Sequence, residues 1–105
     1  MKVKLKEQSW VAKLAAKKMK AGALAIVFGR TVHLWNISRQ EFLQNPRLMV
    51  HEIEHVRQYQ RHGFVPFLFL YLADWIRTGY YRNRFEVEAR AAEERQSQLK
   101  DIEFV

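Results

Sequence analysis

The stretch Asn45-Pro46-Arg47-Leu48-Met49-Val50-His51-Glu52-Ile53-Glu54-His55-Val56-Arg57-Gln58-Tyr59-Gln60-Arg61-His62-Gly63 decides how the chain is read. Asn45 is a helix N-cap, Pro46 suits the first helical position because its missing N–H would have no partner there, and Gly63 ends the pattern. At ~100° per residue, Leu48, Met49, Ile53, Val56 and Tyr59 form one apolar arc. Glu52 falls in the middle of that arc, and His51 and His55 lie at its edge. Glu54, Arg57, Gln58 and Arg61 take the opposite, solvent-facing side. A carboxylate on a buried face is costly unless it is paired or metal-linked. Glu52 therefore needs a partner, whereas Glu54 is expected only to solubilise.

Towards the N-terminus, Thr31-Val32-His33-Leu34-Trp35 and Leu24-Ala25-Ile26-Val27-Phe28 are β-branched and aromatic runs joined by Gly29-Arg30, a two-residue loop that suits a type II′ hairpin. Ser38-Arg39-Gln40-Glu41 is a capping-box pattern opening a short helical piece. Lys6 to Ala21 carries Trp10, Val11, Leu14, Ala15 and Met19 at helical spacing and is closed by Gly22, which predicts a basic amphipathic helix within residues 1–22. Towards the C-terminus, Pro66 opens a helix that ends near Gly79, and Asn83-Arg84-Phe85-Glu86 starts a last helix through about Leu99. The tail 99–105 alternates apolar and charged residues; a frayed end is expected, although Asp101 or Glu103 could lie across a cleft. No repeat or linker interrupts the chain. The pattern predicts one mainly helical α+β domain over 1–105, with a small hairpin or sheet ahead of the central helix.

Composition bounds the chemistry. With 105 residues the chain supports one modest core, and with no cysteine it has neither disulfides nor thiolate ligands, leaving His and carboxylates to hold any metal. Eighteen Lys and Arg against 11 acidic residues give +7, a balance that suits nucleic acid, anionic membrane or acidic peptide but equally a solvated basic surface. The N-terminal run lacks a continuous apolar segment, and the longest apolar run, Phe64 to Ala73, is about half the ~20 residues needed to cross a bilayer. A cytoplasmic location is expected.

His51-Glu52-Ile53-Glu54-His55 is an HExxH motif. Two histidines four residues apart project from one helix face and can bind one ion. The glutamate after the first can reach a metal-bound water and take its proton as that water attacks a carbonyl. Zinc is the expected cofactor, because it supplies a Lewis acid and lowers the pKa of bound water from 15.7 to about 7. Two structural histidines with Glu52 in an ion pair would give the same five letters. The register of all three residues with the apolar arc favours the metal reading, with His51 and His55 as ligands and Glu52 as catalytic base.

A catalytic zinc wants a third protein ligand. Glu86 follows Asn83 by three residues and has a capping-box role available. Glu88 sits beside the stripe Phe85, Ala89, Ala92, Leu99, where small residues allow another helix to approach. Glu88 is therefore favoured over Glu86, and His62 is weaker than either. Tyr71, Tyr80 and Tyr81 are possible donors to a developing oxyanion, each with core packing as the plainer role. His33 is expected at the surface.

His51-Glu52-x-x-His55-Val56-Arg57-Gln58-Tyr59 followed by Tyr80-Tyr81-Arg82-Asn83-Arg84-Phe85-Glu86-Val87-Glu88-Ala89 resembles the gluzincin metallopeptidases. It is most similar to their short members, the minigluzincins, and to small bacterial HExxH domains ending in Glu-x-Glu-Ala, over roughly residues 24 to 92. The resemblance implies two His and one Glu as zinc ligands (here His51, His55 and Glu88), Glu52 as general base, and a peptide or protein substrate paired with a sheet edge that Leu24 to Trp35 would supply. Ala92 stands where larger gluzincins often place an Asp that supports a histidine. Two other classes stay open: a zinc-binding but latent or weakly catalytic regulatory domain, and a basic nucleic-acid- or membrane-binding module whose histidines are structural.

Overall fold

The computed structural model describes residues 1–105. Its elements are β1 (Lys2–Lys6), α1 (Trp10–Met19), β2 (Leu24–Phe28), β3 (Thr31–Trp35), α2 (Arg39–Leu43), α3 (Pro46–His62), α4 (Phe64–Arg82), α5 (Arg84–Ala92), a 3₁₀ turn (Gln96–Leu99) and β4 (Glu103–Phe104). This is a mainly helical α+β domain, with a four-stranded mixed sheet in the order β2-β3-β1-β4. β2 and β3 pair antiparallel from Leu24↔Trp35 to Phe28↔Thr31. Gly29 at φ +64 takes the first loop position, and Arg30 is not left-handed, the combination a type II′ turn requires. β1 runs parallel to β3 on one side and to β4 on the other.

α3 is the hub. Asn45 caps its Leu48 amide, Pro46 occupies its first turn, and Gly63 ends it. It packs against the sheet, α2, α4, α5 and the 3₁₀ turn. Ile53 and Val56 are fully buried among Val32, Leu34, Phe42 and Phe67. Because neighbours surround it, the expected solvent face does not exist along most of its length: Glu54 and Gln58 are both buried, Glu54 accepting from Arg61 at 3.2 Å. The capping box ahead of α2 forms as expected, with Ser38 Oγ accepting from the Glu41 amide and Glu41 accepting from the Ser38 amide.

Four expectations need correction. Lys2–Lys6 is a strand of alternating exposed and buried residues, not the prelude to a long helix. α1 buries Ala12 and Ala16, whose small side chains let it lie close to the sheet, while Trp10 (66 % exposed) and Leu14 (57 %) point outward. α4 starts at Phe64, ahead of Pro66; its first helical run breaks at Gly79, φ +83, where an end is expected, and a short further turn carries it to Arg82. α5 ends at Ala92, and the tail returns as β4 on the sheet edge opposite β2, so Asp101 and Glu103 do not lie across the cleft.

The tail acts as structure: Phe104 packs edge-on against Phe42, and Arg39 donates to the Phe104 and Val105 carbonyls. Removing residues 101–105 should therefore cost roughly 1–2 kcal/mol, the scale of a partly buried aromatic, and leave metal affinity unchanged. Chemical denaturation with a parallel metal titration checks both. A shortened chain that gained metal access or activity would mean the tail occludes the site.

Candidate metal centre

α3 and α5 meet where their polar residues converge. His51 and His55, one turn apart, project from α3 towards Glu86 in the first turn of α5. Glu86 Oε1 accepts from His51 Nε2 at 3.0 Å and from His55 Nε2 at 3.2 Å. One ligand atom from each of the three residues lies within 4.8 Å of the others. The other Glu86 oxygen accepts from the Tyr71 hydroxyl.

Glu86, not Glu88, is thus the carboxylate brought to the histidines. The capping role expected for Glu86 is absent because other side chains satisfy the start of α5: Asn83 Oδ1 accepts from the Phe85 amide and Asp74 from the Arg84 amide, while Asn83 Nδ2 ties the cap to the Tyr71 carbonyl. Glu88 is exposed and accepts from Gln58 Nε2 at 2.9 Å. His62 and His33 stand apart from the cluster; His33 bonds to Ser9 Oγ.

Two orienting residues were not foreseen. His55 Nδ1 donates to Gln58 Oε1 at 2.8 Å, and the fully buried Gln58 amide donates in turn to the Phe85 carbonyl at 3.0 Å. His51 Nδ1 donates to Glu93 Oε2 at 2.8 Å, and Arg47 holds the other Glu93 oxygen at 3.2 Å. Glu93, the residue after Ala92, is thus the carboxylate that meets the second ring nitrogen of His51. The signals were spacing alone: Gln58 follows His55 by three residues, and Glu93 follows Glu86 by seven, two turns along the same face.

Every ring nitrogen of the two histidines faces an acceptor oxygen, so each Nε2 is placed to carry a proton that a cation would displace. Burial opposes charge on His51, but Glu86, Glu52 and Glu93 outweigh it and carry its pKa up to about 9. Burial opposes the His55 cation too, and Glu86 with Glu52 again raises it. Burial would raise Glu86, yet its bonds to both histidines and to Tyr71 hold it well below the carboxylate range. Glu52 is 4 % exposed and takes no hydrogen bond from a protein donor, so burial pushes it up to about 7 against the pull of the histidines. Burial and the nearby Glu86 also raise Tyr71 and Tyr80, which keep their protons. Tyr81 lies outside, 72 % exposed and stacked under Arg90.

The cluster opens into a cavity of about 350 Å³ between edge strand β2 and α4, lined by Met19, all of β2, Phe67, Leu68, Tyr71, Leu72, Trp75 and Tyr80, with His51, Glu52, His55 and Glu86 as its polar groups. A second, more polar hollow bounded by Asn45, Arg47, Glu93 and Tyr80 also reaches His51 and Glu52. Glu52 thus borders both. Compared with protein-family models, curated proteins and solved structures, the chain finds no match in any of the three.

These shifts set how the metal-free protein responds to pH. His51, raised above its ordinary 6.5, stabilises the fold below that pH and loses the contribution as pH rises through about 9. Glu52, raised from 4.5 to about 7, adds a loss in the same direction between those values, because the folded protein keeps a proton the unfolded chain has released. Glu86, depressed, contributes above its ordinary 4.5 and loses only as pH falls towards its lowered pKa. The Tm measured in chelator should therefore fall from about pH 4.5 to about pH 9, the window these two raised groups span together. A Tm that held steady or rose over that interval would contradict the protonated buried cluster.

Proposed function

We propose that the protein is a zinc-dependent metallopeptidase, with His51, His55 and Glu86 as metal ligands and Glu52 as the general base. The observation that carries this reading is the convergence of two Nε2 atoms and one carboxylate oxygen beside an unpaired buried glutamate, at the floor of an apolar cleft. The donor set fits zinc: two imidazoles and a carboxylate leave one position open, as catalytic sites require. Glu93 and Gln58 occupy the Nδ1 atoms, which commits each Nε2 to the ion.

When bound, zinc would supply a Lewis acid that polarises a carbonyl and makes water acidic near neutral pH. The residues then divide the remaining work. Glu52, with a pKa of about 7, is poised to take a proton from water and return it to the departing amine nitrogen. Tyr71 and Tyr80, kept protonated at the cavity wall, are the donors for an oxyanion. Tyr71 is already engaged with Glu86, which leaves Tyr80 the freer of the two. β2 ends the sheet and can accept an extended peptide, although Tyr59 already donates to its Val27 carbonyl. We keep the cytoplasm as the place of action, since a cysteine-free chain needs no oxidising compartment.

Four variants separate base, ligand and bystander. Glu52→Gln should retain zinc and lose peptide hydrolysis by about 10²-fold or more. Glu86→Ala and His55→Ala should lose both zinc and hydrolysis, whereas Glu88→Ala should keep both. Metal content by elemental analysis, with turnover of a fluorogenic peptide library, checks the set. Full activity in Glu52→Gln would remove the assigned base, and zinc retained by Glu86→Ala but lost by Glu88→Ala would restore the other carboxylate. Zinc bound without turnover in the parent would favour a latent regulatory domain.

A further inference from the structure

We propose that the outward face of α4 is a docking surface for an anionic lipid bilayer. α4 is apolar on nearly all sides but packs with only one. Phe67, Tyr71 and Trp75 turn inward, towards α3, α5 and the cavity. Val65, Phe69, Leu72 and Ile76, spaced four, three and four residues apart, form a continuous stripe beside this inner face, with Leu72 at the cavity rim and Phe69 70 % and Ile76 87 % exposed. A helix of a soluble fold normally puts charge there. Isolated surface apolar residues need no explanation, but a contiguous ridge of this length marks an interaction surface.

Charge selects the occupant. From His55 to Phe85 the only carboxylate is Asp74, and it is turned onto the Arg84 amide at 2.7 Å. Arg77 follows Ile76 at the C-terminal end of the stripe, and Arg82 and Arg84 come after it in the chain, beyond the break at Gly79. Across the cavity mouth, Lys17, Lys18 and Lys20 flank Met19, which lines the same cavity as Leu72. An apolar ridge bounded by cations, with no free carboxylate, complements a surface that is apolar inside and anionic at its headgroups. A second copy of the chain would bring its own +7 and the same arginines to the contact. No helix is long and apolar enough to cross a membrane, so α4 would lie in the interface with its stripe among the acyl chains. This placement stands independently of the metal reading, and it would set the cleft mouth against the bilayer surface.

Vesicle flotation of the full chain tests it. The protein should float with phosphatidylcholine–phosphatidylglycerol vesicles and not with phosphatidylcholine alone, and added salt should weaken binding. Phe69→Glu with Ile76→Glu changes only exposed positions and should lower partitioning by about tenfold or more, since both apolar side chains leave the acyl region. Ile76→Trp adds an indole whose emission should shift blue, and be quenched by brominated lipid, on the mixed vesicles. Absence of binding at low salt would overturn the proposal. So would binding undiminished in Phe69→Glu/Ile76→Glu, or an added indole that lipid does not quench. A parent that sediments as a dimer and becomes monomeric in that double variant would assign the face to a second copy instead.

Discussion

Glu86 accepts hydrogen bonds from His51 and His55 at once, and that shared carboxylate fixes where α5 lies on α3. A charge so deeply buried is tolerable only when its partners are complete, and much of the surrounding structure supplies them. Asn83 caps α5 without help from Glu86, leaving that carboxylate free to turn inward. Gln58 grips the Phe85 carbonyl, and Phe85 packs into the aromatic group of His62, Phe67 and Tyr71. Tyr71 closes the last side of Glu86 from α4. Three helices are thereby tied at one carboxylate.

The same bonds orient both imidazole rings. Gln58 is neutral and Glu93 is charged and held by Arg47, so the two imidazoles are oriented by unlike partners. Glu93 adds negative charge beside His51, where it makes the ring more basic. Around this polar knot the walls are aliphatic and aromatic, which raises the effective strength of every charge inside. Glu52 feels the opposite side of that arrangement: buried without a donor of its own, it becomes a weak acid with a pKa matched to neutral pH. α4 contributes to both aspects, lining the cleft with its inner residues while its outer stripe stays without a partner in the fold.

Much of this was legible because local rules and the fold agree. Asn45-Pro46 at one end and Gly63 at the other bound α3 within a residue of expectation, Gly29-Arg30 sets the hairpin register, and Ser38 with Glu41 closes its box. The third carboxylate was not legible, for a geometric reason. Phe85, Ala89 and Ala92 define the buried arc of α5, and Glu86 and Glu88 flank its centre on opposite sides at about 90° and about 70°. Apolar periodicity cannot choose between two flanks related in this way; only the side on which α3 lies can. Gln58 and Glu54 were misplaced because a helical wheel assumes one solvent face, and α3 is enclosed by the sheet and by helices. The alternation in Lys2–Lys6 does carry a strand signal, but its partners are the non-adjacent β3 and β4, which no local pattern announces.

The central claim is that one cation binds among His51, His55 and Glu86, and anomalous diffraction at the zinc edge from crystals grown with zinc tests it most directly. A single strong peak is predicted, with both Nε2 atoms and one Glu86 oxygen at about 2.0–2.2 Å, Gln58 and Glu93 still on the Nδ1 atoms, and Glu88 remote. A peak bound by Glu88, or no peak between the two histidines while all three side chains keep their present bonds, would contradict the account.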